Sequence, residues 1–286
     1  MPQFLSDHGV AISYSAWPVE HPRGIVQIVH GLGEHSQRYA ELAGRLNASG
    51  FAVYAHDLRG HGETARLPSG EQAPGAHRLG PDGVRTAEAD ILRFTRLLRD
   101  EMTPDRGAGV PLVALGHSLG SLLLQRVINT RSTAFDGVVF TGTALRMPGS
   151  MDGGDLTRRH RPRGAGTGFE WLSRDVAMQA AAAADPFMFE AKALRELGVC
   201  DGLRLFGLPG RGIRRDLPVL IMGGSDDILG GPVSMRRLAR SFTQRSKLTD
   251  VEVVVFPDAR HEVFNETNRA AVTDRLVDWL EHHVVL

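Results

Sequence analysis

Val110-Pro111-Leu112-Val113-Ala114-Leu115-Gly116-His117-Ser118-Leu119-Gly120-Ser121-Leu122-Leu123-Leu124 is the stretch on which the reading of this chain turns. An apolar run leads into Gly-x-Ser-x-Gly, and a segment without Gly or Pro follows from Ser121 to Ile128. That order of strand, tight turn and helix is the form of a nucleophile elbow, which projects a strained serine from the end of a sheet strand. The glycines two before and two after the serine answer a steric need, because strand and helix backbones nearly touch at such a turn. Ser118 is the candidate nucleophile. The five-residue pattern by itself is weak, and the flanking strand and helix signals sharpen it.

Outward from the elbow, short apolar runs alternate with amphipathic stretches, the signature of βαβ units and a mostly parallel sheet. Strands are predicted at Val10–Ala16, Ile25–His30, Ala52–His56, Pro111–Leu115, Gly137–Thr141, Val219–Met222 and Val251–Phe256. Ala87, Ile91, Phe94 and Leu98 recur at helical steps within Asp82–Asp100, as do Val272, Leu276 and Leu280 within Asn265–His282. The alternation breaks between Arg146 and Asp216. Met147–Gly168 is rich in Gly and Arg without a period and reads as loop. Helical segments follow at Glu170–Ala184 and Ala191–Leu197, then a second Gly-rich loop, Gly207–Gly212. The expected organisation is therefore an α/β core of residues 1–145 and 217–286, with residues 146–216 inserted as a helical cap or lid.

Composition narrows the function classes. With 33 Lys plus Arg against 33 Asp plus Glu there is no electrostatic case for nucleic acid. A single cysteine, Cys200, excludes an intramolecular disulfide and a Cys-based zinc site. No run approaches the ~20 apolar residues that span a bilayer. The N-terminus lacks the basic and apolar regions of a signal peptide, so a cytoplasmic location is expected.

A serine hydroxyl attacks only when a base takes its proton, and the base needs an acid to hold its tautomer. Gly223-Gly224-Ser225-Asp226-Asp227 follows one predicted strand, and Pro257-Asp258-Ala259-Arg260-His261-Glu262 follows the next. An acid and a histidine just past successive strands stand at the same carboxyl edge as Ser118, where parallel sheets bind ligands. His261 is the only one of twelve histidines in that position and order. For the acid, Asp227 and Asp226 are both open on spacing. Two backbone N–H groups must face the developing oxyanion. Leu119, after the nucleophile, is one donor; Leu32, in His30-Gly31-Leu32-Gly33, is the other. His35, Arg38, Asp57, Arg59 and His61 read as loop-bracing groups, and His56, Asp57 and His61 as a poor metal set.

Three segments together carry a family resemblance: His30-Gly31-Leu32-Gly33-Glu34-His35-Ser36-Gln37-Arg38-Tyr39, Tyr54-Ala55-His56-Asp57-Leu58-Arg59-Gly60-His61-Gly62 and the elbow. With Gly224-Ser225-Asp226-Asp227, His261-Glu262, Phe169–Asp175 and Ala184-Asp185-Pro186, they resemble the monoacylglycerol lipase and lysophospholipase-like branch of the α/β-hydrolases over nearly the whole chain. The resemblance implies the α/β-hydrolase fold and a carboxylic-ester hydrolase acting on monoacylglycerols or related single-chain esters. It implies Ser118 as nucleophile, Asp227 and His261 as partners, Leu32 and Leu119 as oxyanion donors, a cap over an acyl channel, and neither cofactor nor metal. One departure stands out. Arg158-Arg159-His160-Arg161-Pro162-Arg163 makes this cap basic where the family's is apolar and meets membranes. It is either a solvated loop or a patch for anionic lipid surfaces or anionic substrate groups. A thioesterase, amidase or acyltransferase would use the same triad, and a ligand-binding member of the fold would need none. A serine at position 118 disfavours chemistry that needs an aspartate nucleophile.

Overall fold

A computed structural model describes residues 1–100, 109–152 and 154–283. Its strands are β1 (Gln3–Leu5), β2 (Ala11–Trp17), β3 (Gly24–Val29), β4 (Phe51–His56), β5 (Leu112–His117), β6 (Gly137–Thr141), β7 (Val219–Gly224) and β8 (Val251–Phe256). They form one sheet in the order β1-β2-β4-β3-β5-β6-β7-β8. β2 runs antiparallel to both neighbours, and all pairings from β4 to β8 are parallel. The helices are α1 (Ala40–Ala48), α2 (Gly83–Asp100), α3 (Leu119–Arg131), α4 (Val176–Ala184), α5 (Ala193–Leu205), α6 (Gly231–Ser241) and α7 (Arg269–His283). This is the α/β-hydrolase fold.

The inner strands β3 to β7 are mostly apolar along their length because both faces of the sheet are covered there. Side chains alternate between the two faces. Ile25, Leu112, Ala114, Val219 and Ile221 join Ile91, Phe94, Leu123 and Leu238 in one core, under α2, α3 and α6. Val26, Val113, Leu115, Leu220 and Met222 join Leu42, Leu46, Leu276 and Trp279 in the other, under α1 and α7. The three-residue edge strand β1 lies outside the predicted set, since so short a piece carries no readable period.

After β3 the chain goes to β4 on one side and returns to β5 on the other. The carboxyl ends of β3 and β5 therefore flank a topological switch point, where open parallel sheets hold ligands.

The long stretch between β6 and β7 contributes α4 and α5 and no strand to the sheet. α4 starts six residues later than the sequence reading placed it. Asp175 caps it by accepting from the N–H groups of Ala177 and Met178, so residues before Asp175 lie outside the helix. α5 runs past Leu197 to Leu205 through a kink at Gly198, where φ is 71°. Among the described residues no helix is long and apolar enough to cross a membrane.

The crossing of α3 over β3 leaves no room at Gly120, where a Cβ would overlap the Val29 carbonyl oxygen. Gly120→Val should lower unfolding stability by at least about 2 kcal/mol, since overpacking against backbone has little relief; urea denaturation measures it.

Candidate active site

Ser118 stands between β5 and α3 with φ 48° and ψ −119°, a conformation costly for a side chain other than glycine. Surrounding structure holds it there. Its N–H donates to the Thr141 carbonyl at 3.0 Å, and a Cβ on Gly116 would come within 2.8 Å of the Gly120 backbone. The strain turns the serine out of the strand and over the start of α3. That helix end leaves the Leu119 N–H without an intrahelical acceptor.

The loops after β7 and β8 are joined by backbone bonds, Ser225 N–H to Phe256 O at 2.9 Å and Asp226 N–H to Ala259 O at 3.0 Å. This brings Asp227 to His261. Asp227 Oδ1 lies 2.9 Å from His261 Nδ1 and also accepts from the Leu229 N–H at 3.0 Å. Asp226, the rival acid, faces away and pairs with Arg159 at 2.6 Å. Burial works against ionised Asp227, but His261 and the Leu229 N–H outweigh it and hold the carboxyl below its usual range. An ionised carboxylate only accepts, so Nδ1 carries the ring proton and Nε2 of the neutral ring is the free base. Nε2 is buried without a hydrogen-bond partner among the described residues. It is therefore not bonded to Ser118, although both line one cavity. Such contacts commonly tighten only when substrate binds. The His261 ring is held between Trp171 and His117, with centroids 4.8 and 4.7 Å away.

On the other side of Ser118, His30 orients the first turn after β3. Its Nε2 accepts from the Leu58 N–H at 2.8 Å, which places the proton on Nδ1, and Nδ1–H donates to the Gly31 carbonyl at 2.7 Å. Burial, reinforced by His61, keeps the His30 ring neutral, well below the usual histidine range. The Gly31 carbonyl and the Leu32 N–H belong to one planar peptide, so this bond also fixes the direction of the Leu32 N–H. Among the described residues no acceptor takes that N–H or the Leu119 N–H.

Glu34 and Glu262 were not picked out from sequence as site residues. The signal was local, since Glu34 sits inside the quoted motif and Glu262 directly follows His261. Both are buried beside the cavity with Arg38 between them. Glu34, His117 and Glu262 place ligand-type atoms within 4.8 Å of one another, and the Arg38 guanidinium already supplies positive charge to both carboxylates. His35, Asp57, Arg59 and His61 each hold a neighbouring loop: His35 bonds Asp185, Asp57 accepts from Ser36 and Glu63, Arg59 pairs with Asp90, and His61 Nδ1 meets the Arg59 carbonyl.

Two cavities meet at Ser118. One, of about 20 Å³, is mixed: Glu34, Glu190, His261 and Glu262 edge it among Leu32, Phe169, Trp171, Met188 and Phe189, with no Arg or Lys in its wall. The other is apolar, about 80 Å³, walled by Leu32, Leu119, Leu122, Leu197, Leu205 and Leu229 with Trp171. Past Trp171, Leu156 and Ala193 it adjoins a cleft of about 410 Å³ that reaches Arg161 and Lys192. No residue of the basic run lines the first cavity; Arg159 is engaged by Asp226 and Arg161 by Asp155 at 2.9 Å.

Fold and site place the chain among the α/β-hydrolases. Residues 20–268 match the model of the Hydrolase_4 family, described as serine aminopeptidase, S33, and the chain belongs to that family. It is 29% identical over 296 residues to the monoacylglycerol lipase of Mycolicibacterium smegmatis, covering 98% of this chain and 96% of that protein. It is 24% identical to the monoglyceride lipase of Saccharomyces cerevisiae, over 98% and 93% of the two chains. Among solved structures, a thermostable carboxyl esterase from Bacillus coagulans in complex with glycerol superposes with a TM-score of 0.80 at 25% identity, covering 99% and 98%. The monoacylglycerol lipase of Paleococcus ferrophilus does so at 0.70 and 28% identity, covering 95% and 99%.

Burial opposes charge on His261, but Asp227 and the nearby glutamates outweigh it and raise the ring pKa above 6.5. An NMR titration should place the His261 pKa above that value in the wild type. In Asp227→Asn burial is left with little opposition, and the pKa should fall below 6.5.

Proposed function

We propose that this ester-bond hydrolase works through an acyl-enzyme at Ser118, on single-acyl-chain esters of small neutral alcohols, monoacylglycerols foremost. The observation that carries this reading is the position of Ser118 at the meeting point of an apolar cavity and a small one edged by carboxylates and His261. An ester carbonyl held over Ser118 directs its acyl chain among the leucines and its alcohol toward His261 and the glutamates. The full-length likeness to monoacylglycerol and monoglyceride lipases supports the same substrate class.

In this mechanism His261 Nε2 takes the Ser118 proton as Oγ forms a bond to the ester carbon. The Leu32 and Leu119 N–H groups hold the tetrahedral oxyanion, which is worth several kcal/mol of barrier in comparable sites. As the C–O bond to the alcohol breaks, the His261 proton passes to the leaving oxygen. Water entering from the same side then gives a proton to His261 as it adds to the acyl carbon; as the bond from that carbon to Ser118 Oγ breaks, His261 returns the proton to Oγ and the fatty acid leaves. Ionised Asp227 keeps the ring oriented and stabilises the imidazolium. None of these steps draws on a cofactor.

Substrate selection follows from the walls. The apolar cavity has the volume of about three water molecules at ~30 Å³ each, so a long chain must continue past Trp171 into the adjoining cleft. Residues 146–216 act as the cap over this route, with Trp171 in the wall of both the cavity and the cleft. Three carboxylates against the single guanidinium of Arg38 leave net negative charge on the alcohol side, which favours neutral hydroxyls over phosphate, and no residue of the basic run lines that cavity. We read that run as a solvated part of the cap rather than a substrate-phosphate site.

Initial rates on 1-monoacylglycerols should exceed those on the matching lysophosphatidic acids by at least about 100-fold in kcat/KM. Ser118→Ala should lower kcat about 10⁴–10⁶-fold, as in other serine triads; equal turnover by the variant would sink the acyl-enzyme reading. Asp227→Asn should lower kcat about 10³–10⁴-fold, whereas Asp226→Asn should stay within about threefold of wild type. The acid limb of the kcat/KM profile should lie above pH 6.5, because activity requires neutral His261 and is lost as pH falls through its raised pKa.

A further inference from the structure

We propose that Glu34 is a positioning residue for the oxyanion hole, and that Arg38 clamps it to Glu262 so that the oxyanion loop and the His261 loop move as one body. The inference rests on the reading of Ser118 as nucleophile and of Leu32 as an oxyanion donor.

Glu34 Oε1 accepts the Gly31 N–H at 2.6 Å, a short charge-assisted bond inside a three-residue turn. The same oxygen accepts the Tyr39 hydroxyl at 3.0 Å, and Oε2 accepts from Arg38 Nη1 at 3.1 Å. Gly31 is the residue that touches the elbow: a Cβ there would stand 2.9 Å from Ser118 Cβ and 2.8 Å from Glu34 Oε1. Its peptides are thus gripped twice, by Glu34 at the N–H and by His30 at the carbonyl, which leaves the next N–H, that of Leu32, one direction to point. A misplacement of about 1 Å at such a donor can cost 10²-fold in rate.

Arg38 carries the grip across the site. Its two nitrogens meet the two Glu262 oxygens at 2.5 and 2.8 Å. Glu262 is the residue after His261, and its own N–H donates to the Leu172 carbonyl at 2.7 Å. Two loops 224 residues apart in sequence are therefore joined by one buried guanidinium. A buried cluster of this kind gives little net stability against an apolar alternative, so geometric specificity is the effect it offers. Burial pushes Glu34 up, only partly offset by Arg38, whereas Arg38 overcomes burial at Glu262 and holds it down to about 2.

The test separates transition-state from ground-state binding. A long-chain trifluoromethyl ketone adds to Ser118 and places an oxyanion in the hole; an alkyl trifluoroethyl ether of the same length fills the same cavities without an oxyanion and without glycerol hydroxyls for Glu34 to meet. Wild type should bind both, and Ser118→Ala should lose the ketone adduct; failure of that control would overturn the nucleophile reading itself. Glu34→Ala should lower kcat and ketone affinity together by about 10–100-fold, the range expected for a displaced oxyanion donor, with ether affinity within about threefold. Glu34→Gln, which keeps an oxygen for the Gly31 N–H, should recover most of the loss. If Glu34→Ala does not fold, Tyr39→Phe loosens Glu34 while keeping the ring and should weaken ketone binding at least threefold with ether binding unchanged. Unchanged ketone affinity in the variant measured, or equal loss of ketone and ether, overturns the positioning role.

Discussion

The contact between the backbone of α3 and the end of β3 is the constraint on which the site depends. Gly120 lies against the Val29 carbonyl, and Gly116 lies against Gly120, so a side chain at either position would force strand and helix apart. That closeness puts Ser118 beside Gly31 and makes the first turn after β3 the natural neighbour of the first turn after β5. It also forces Ser118 into its left-handed conformation, a local cost that the two packed cores on either face of the sheet offset. The switch point between β3 and β5 is then both the crevice that parallel topology provides and the place where backbone N–H groups converge.

Around that fixed point, the stretch between β6 and β7 ties down what the sheet leaves loose. Its residues 170–174 hold the loop after β8: the Glu170 carbonyl accepts from Arg260, the Leu172 carbonyl from the Glu262 N–H, and Ser173 donates to the Asn265 carbonyl. Its residues 185–189 hold the loop after β3, where His35 meets Asp185 at 2.8 Å and the Phe189 N–H donates to the Gly33 carbonyl at 3.1 Å. The chain that walls the cavities is thereby hydrogen-bonded to both loops that face Ser118. The bond to Gly33 brings this stretch nearest the site, one residue from Leu32.

Much of the fold was legible because its signals are local or periodic. Seven strands stand where apolar runs predicted them, for the physical reason that a strand covered on both faces has no polar side to show. Asp175 carries a local signal of its own: an aspartate two residues before an alanine-rich run caps a helix, and α4 begins just after it rather than at Glu170. The Gly198 kink and the edge strand β1 were less accessible, since one depends on how α5 packs and the other on pairing with β2. Among the site residues, Ser118 and His261 could be read from order along the chain. Spacing left Asp227 and Asp226 open and only the family likeness of Gly224-Ser225-Asp226-Asp227 favoured Asp227; the packed loop separates them, with Asp227 on His261 and Asp226 on Arg159.

By itself the sequence determined the elbow, the alternation of strands and helices, and the carboxyl-edge placement of an acid and a histidine. Each of these follows from neighbours in the chain and from steric rules that act over a few residues. Tertiary structure alone decided that Arg38 would bridge Glu34 and Glu262, that the basic run would turn to Asp226 and Asp155, and that Glu34, Glu190 and Glu262 would share one cavity wall with His261. Those outcomes depend on distances between segments far apart in sequence, and on the need of buried charges for partners, which only the packed chain can supply.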